Sequence, residues 1–277
     1  MGTDKNAQTL DLSSMSSLEE LFIGVSGGNP ILLGLLGGFF ISTLNAFGGI
    51  PVLFFKHLPQ RLNDVALGFA AGVMLAASFT SLIIPGIELG GVLPVALGVL
   101  LGAGVVSVAD RIVPHMHRII GEEGIKTSRL RSVWLFVLAI ILHNMPEGLA
   151  VGVGMGSGNI NQAIILMIAI GLQNMPEGLS VAFSFMGEGE EPDRLRSFII
   201  STISGLVEMP LCVLGAWAVT LAASILPYGM GFAAGAMIFV ISDEIIPETH
   251  RLGHERLASY GLIIGLLIML TMDVLLG

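Results

Sequence analysis

Residues 142–152 read LHNMPEGLAVG, and residues 172–182 read LQNMPEGLSVA. In each copy a nitrogen- or amide-bearing side chain precedes a carboxylate by four positions, His143 before Glu147 and Gln173 before Glu177. That spacing places both members on one face of a helix. Asn144 and Asn174 stand one position round, on the flank. Pro146 and Pro176 each delete a helical N–H and leave the carbonyls of Leu142 and Leu172 without their usual partner. In apolar surroundings such carbonyls must face protein, water or a ligand. Gly148 and Gly178 let a neighbouring helix approach closely. Imidazole, amides, carboxylates and freed carbonyls together make a donor set for a cation.

These residues sit in an apolar chain. Hydrophobic residues form 53% of the 277 and charged residues 12%, where soluble domains average about 25% charged. Windows of about 20 apolar residues place eight expected spans near 30–52, 64–86, 91–109, 132–154, 161–186, 197–224, 228–247 and 258–276. The chain therefore reads as one all-α polytopic membrane domain over 1–277, with a polar tail at 1–28 and a loop at 110–131 between the third and fourth spans. The tail lacks the basic start and apolar core of a cleavable signal, so the first span is expected both to target the chain and to remain. The single cysteine, Cys212, excludes an internal disulfide framework and a thiolate zinc cage. The net charge of −9 gives nucleic acid nothing to bind.

Lys56, Arg61, Arg111, Arg118, Lys126, Arg129, Arg131, Arg194, Arg196, Arg251 and Arg256 all fall in the loops after odd-numbered spans; Lys5, in the tail, is the exception. Basic loops stay cytoplasmic, so both termini are expected outside. Spans four and five then run in opposite directions while sharing N-M-P-E-G-L-x-V. A second antiparallel pair is GFAAGVM at 68–74 and GFAAGAM at 231–237, each followed by IIP, at 83–85 and 245–247. Like sequences in opposite orientation mark inverted-topology repeats, as in transporters. The expected arrangement is spans one to three against six to eight, around an inner pair formed by four and five.

At 1.5 Å per residue, His143 and Glu147 lie roughly 17 and 23 Å along span four. Gln173, Glu177 and Glu208 reach similar depths on spans five and six, near the middle of a core about 30 Å thick. A carboxylate there costs about 2.5–3.5 kcal/mol, and no Lys or Arg lies within the spans beside the three acids. They must be protonated or neutralised by a bound cation. The donor set suits a borderline dication such as Zn²⁺, Fe²⁺, Mn²⁺ or Cd²⁺ better than Mg²⁺ or Ca²⁺, with room for one ion or two.

HNMPEG followed by QNMPEG in the next helix, with IIPETH closing span seven, resembles the ZIP (Zrt/Irt-like) family of divalent metal transporters, in its bacterial, GufA-like branch. The resemblance implies an eight-helix bundle with a 3+2+3 inverted repeat in a bacterial cytoplasmic (inner) membrane. It implies uptake of zinc or a similar dication toward the cytoplasm through a site between helices four, five and six, with no separate cofactor. It also implies one ion held by His143, Glu147, Gln173 and Glu177, with Met74 of span two as a candidate thioether. A second ion would be bridged by Glu147 and Glu177 and completed by Asn144, Asn174 and Glu208. Some relatives carry an acid where this chain has Asn174, which leaves the filling of the second site open. Alternating access, in an elevator-like form, is the implied motion, and a homodimer is the assembly considered.

Other polar residues have bland and functional readings side by side. Met74 is otherwise core. Asp110, His115 and His117 in the basic loop, and Glu244, Glu248, His250 and His254 at the inner end of span seven, are candidates for an exit path or simply a solvated rim. Glu88 and Asp273 lie at outer helix ends, as entrance charges or caps. An intramembrane metalloprotease would need H-E-x-x-H; Asn144 occupies the glutamate position and residue 147 is not histidine, so enzyme chemistry is not expected. A metal-selective channel and a proton- or sodium-coupled carrier of another solute are the remaining classes.

Overall fold

The computed structural model describes residues 13–112, 115–117, 121–123, 132–186, 193–221, 223–250 and 253–276. Helices dominate, with one short antiparallel pair, β1 (His115–His117) and β2 (Gly121–Glu123). Among the described residues, seven segments are long and apolar enough to cross a membrane: Pro30–Leu53, Gln60–Gly90, Val92–Ala109, Ile160–Ser184, Arg194–Leu221, Leu226–Thr249 and Glu255–Leu276. They coincide with seven of the eight expected spans. The other expected span coincides with a 25-residue helix, Ser132–Gly156, where the side chains of 132–143 lie outside the described ones.

The tail at 1–28 is not wholly irregular. Ser13–Ser26 forms α1, which lays Leu18 and Phe22 on the core. Gly27 and Gly28, at φ of 60° and 74°, end it. Asn29 then caps α2 (Pro30–Gly49), its Oδ1 accepting from the Ile31 and Leu32 amides, with Pro30 at the first helical position where no N–H is needed.

The second span comprises α3 (Gln60–Ala77), a π-helical stretch (Ser78–Ile83) and α4 (Ile84–Gly90). The third is α5 (Val92–Ile112). After α6 (Ser132–Gly156) and α7 (Ile160–Ser184), the expected span 197–224 is interrupted. It divides into α8 (Arg194–Leu206) and α9 (Glu208–Leu221), with Val207 between them. Pro210 is the physical reason, because it cannot donate to the Leu206 carbonyl. The next span is α10 (Leu226–Val240), a second π-helical stretch (Ile241–Ile245) and α11 (Ile246–Thr249); α12 (Glu255–Leu276) closes the chain. Both π stretches run into an I-P pair, at Pro85 and Pro247. Such π turns are frequent at functional sites.

Apolar helices in lipid gain little by excluding water from one another, so close packing must hold them together. Glycine provides it. A Cβ at Gly68 or Gly72 on α3 would strike the Ala258 or Leu262 backbone of α12, and Gly261 and Gly265 return the contact against Val65 and Phe69. Gly98 and Gly102 of α5 meet α10 the same way, and Gly231 and Gly235 meet Val95 and Val99. The pairs α2 with α7 and α6 with α9 are joined similarly at Gly48, Gly178, Gly148 and Gly152. At the centre, α7 buries Ile164, Ile165, Leu166, Met167 and Ile170, while α12 turns Ile263, Ile264 and Leu267 outward.

Candidate metal centre

The polar residues expected at mid-depth are buried. Glu147, Gln173, Asn174 and Glu208 are 0% exposed, Asn144 is 2% and Glu177 is 6%. Pro146 and Pro176 lie inside continuous helices, so neither proline ends α6 or α7. Glu208 is the first residue of α9, beside the break at Val207. The positive end of that helix favours a carboxylate there.

Three of these residues form one hydrogen-bonded chain. Gln173 Nε2 donates to Asn174 Oδ1 at 2.7 Å. Asn174 Nδ2 donates to Glu208 Oε1 at 2.9 Å and Oε2 at 2.7 Å. Gln173 Oε1 is buried with no hydrogen-bond partner among the described residues. On α6, Asn144 Nδ2 reaches the Ser204 carbonyl at 3.3 Å, and Gly148 packs on the Glu208 backbone. These contacts bring α6, α7 and the α8–α9 break together. Met74 is fully buried on α3. His143 lies on α6, but its side chain is outside the described residues. Among the described residues, no three His, Cys, Asp or Glu side chains form a group able to hold a metal ion.

A polar frame that sequence reading passed over holds this centre. Ser42 Oγ donates to the Gly205 carbonyl at 2.8 Å, Asn45 Nδ2 to the Ser201 carbonyl at 2.8 Å, Ser201 Oγ to the Gly178 carbonyl at 2.7 Å and Ser204 Oγ to the Ser201 carbonyl at 2.7 Å. The signal was present in the spacing Ser197, Ser201, Ser204, one buried stripe of α8. A polar residue in lipid has to find such partners.

At the end of α11 the structure places the exit-path candidates His250 and His254 on separate elements. His250 follows α11 and His254 precedes α12, so they do not share a helical turn. The ring Nδ1 of His250 lies 2.7 Å from the Ile246 carbonyl. That of His254 lies 2.8 Å from Asp64 Oδ2, and Arg61 Nε is 3.3 Å from its Nε2. Asp64, buried and also bonded to Gln60 at 2.7 Å, was not singled out from sequence; an acid at the foot of an apolar run was the available sign. Glu244 is buried and Glu248 half-buried. The side chains of Asp110, His115 and His117 lie outside the described residues. Of the two entrance candidates, Glu88 on α4 is exposed, and Asp273 on α12 is half-buried beside Thr80.

A family model described as ZIP Zinc transporter matches residues 120–273. The zinc transporter ZIPB of Bordetella bronchiseptica is 40% identical over 271 residues, covering 91% of this chain and 85% of that protein. The zinc transporter GufA of Myxococcus xanthus is 37% identical, covering 88% of this chain and 99% of that protein. Human zinc transporter ZIP11 is 35% identical, covering 91% and 100%.

Proposed function

The chain belongs to the ZIP family of zinc transporters, and on that premise we propose that it carries zinc, or a dication of similar softness, into the cytoplasm through the centre between α6, α7 and the α8–α9 break. The observation that carries the reading is the burial of Glu147, Glu177 and Glu208 in helices whose basic residues stand only near their ends. Each buried carboxylate costs about 2.5–3.5 kcal/mol at mid-depth, and a transported dication removes that cost while it is bound. His143, Glu147, Gln173 and Glu177 hold the ion, with Met74 reaching it from α3. Asp110, His115, His117, Glu244, Glu248, His250 and His254 line its way inward, and Glu88 and Asp273 its way in from outside.

The architecture in this reading is eight spans in a 3+2+3 inverted repeat, both termini outside, in a bacterial cytoplasmic membrane. Matching features support it. The glycine-packed pair of α3 and α12 corresponds to that of α10 and α5, and the α2–α7 pair to α9–α6. The two π stretches fall at corresponding points of the GFAAG-to-IIP repeats. Transport proceeds by alternating access, with α6 and α7 moving against the outer pairs.

The test is zinc flux into proteoliposomes containing a zinc-sensitive dye. Wild-type protein gives saturable uptake, and Glu177→Ala abolishes it. Equal uptake by the variant would remove the centre from the pathway, and uptake that rises linearly with zinc would replace the carrier with a channel.

A further inference from the structure

Resting on the transport reading, we propose that Asn174 and Glu208 are positioning residues rather than ligands: they form a polarised hydrogen-bond relay that aims the Gln173 carbonyl at a single zinc ion and fills with an amide the place a second ion would need. The polarity starts at Glu208. Both of its oxygens lie within hydrogen-bond distance of one nitrogen, Asn174 Nδ2, and an amide nitrogen only donates. A carboxylate, which only accepts, satisfies that geometry, and the start of α9 favours its charge. Once the NH₂ end of Asn174 faces Glu208, its Oδ1 must face the other way, where it accepts from Gln173 Nε2 at 2.7 Å. Gln173 is thereby fixed with Nε2 turned aside and Oε1 left over.

That leftover atom points to a ligand. Gln173 is 0% exposed, and its Oε1 has no hydrogen-bond partner among the described residues. A buried carbonyl oxygen without a partner is destabilising, and a cation coordinated by it removes that cost. An unfixed amide presents N–H₂ to the ion as readily as oxygen, and N–H₂ repels it. The relay decides which end the ion meets. It also engages both Glu208 oxygens in charge-assisted bonds, so a second ion would have to displace an amide already bound there.

The sense of the relay can be reversed by design. Glu208→Gln alone removes the fixed acceptor, so Gln173 loses its orientation. Adding Gln173→Glu rebuilds the chain in the opposite direction, with residue 208 donating to Asn174 and Asn174 donating to residue 173. The ion then meets a carboxylate oxygen, which has no wrong end, and net charge is unchanged.

The experiment measures zinc bound per chain and its Kd on purified full-length protein in detergent, with zinc flux recorded alongside. Wild type is expected to bind one zinc. Glu208→Gln is expected to bind one zinc with affinity lower by roughly 10–100-fold, the usual effect of losing an outer-shell partner, and Gln173→Glu/Glu208→Gln to recover most of that loss. Asn174→Asp, which sets two acceptors against each other, is expected to bind two. Wild type binding two ions and Glu208→Gln one would make Glu208 a ligand and overturn the relay while leaving transport standing. A double variant no tighter than Glu208→Gln also overturns it. A wild-type chain that binds no zinc and moves none sinks the relay and the transport reading together.

Discussion

The segments 144–151 and 174–181 differ at one position in eight, Ala150 against Ser180, yet the structure uses their asparagines differently. In both copies the proline sits inside a helix, the glutamate is buried and the glycine lies on a neighbour's backbone, Gly148 on Glu208 and Gly178 on Asn45. Asn144 donates to a backbone carbonyl at 3.3 Å. Asn174 donates to both oxygens of a carboxylate, at 2.9 and 2.7 Å. Local sequence dictates what the helix itself does: where its proline sits, how closely it can be approached, and that its acid is buried. The residue across the interface dictates what the flanking amide does, and the two copies find unlike acceptors, a side-chain carboxylate for Asn174 and a backbone carbonyl for Asn144.

The shared part of the comparison should break hardest. A side chain at residue 148 or 178 has to displace a neighbour's backbone, and overpacking of that kind costs about 1–3 kcal/mol or more. Gly148→Val and Gly178→Val are both expected to lower the melting temperature in detergent sharply, and zinc flux with it. A Gly178→Val protein that melts with the wild type would mean that α2 and α7 do not lie this close.

The unshared part should separate the two asparagines. Asn174→Leu leaves the Glu208 carboxylate without its charge-assisted donor, a loss in the range of about 1.5–3 kcal/mol, whereas Asn144→Leu removes a long, neutral bond in the range of about 0.5–1.5 kcal/mol. Melting of the two variants side by side reads the difference. Equal losses would erase the distinction between the copies.

How much of this was legible in the sequence follows the same division. Hydropathy located seven of the expected spans, since apolar length is a property of one segment. The glycines at 68, 72, 231, 235, 261 and 265 were legible as packing faces, though not the partners they meet. The interruption of span six at Val207 was missed, although Pro210 two residues past Glu208 was its sign. The helix at Ser13–Ser26 was missed because four serines near its start hide the apolar Leu18 and Phe22 that dock it. Of the centre, Glu147, Gln173, Glu177 and Glu208 are indeed buried, and the pairing of His143 with Glu147 and of Gln173 with Glu177 at a four-residue spacing could be read directly. That Asn174 bonds Glu208, 34 residues away, could not, because side-chain pairing between helices depends on their relative rotation, which periodicity in one helix does not encode. The Asp64–His254 contact, 190 residues apart, was hidden for the same reason.

The smallest expected effect gives the finest test of the comparison. Asn144 takes its acceptor from the backbone of residue 204, and Asn174 takes its acceptor from the side chain of residue 208. Ser204→Ala removes the hydroxyl bond to the Ser201 carbonyl but leaves the Ser204 carbonyl where Asn144 finds it. One buried neutral hydrogen bond is worth about 0.5–1.5 kcal/mol, and the Ser201 carbonyl keeps a donor in Asn45, so the loss belongs at the lower end. Ser204→Ala is therefore expected to melt within a few degrees of wild type and to bind zinc with unchanged affinity. A clear fall in zinc affinity would show that the Ser204 hydroxyl reaches the ion, and that the α6 copy, like the α7 copy, depends on a side chain of the broken helix.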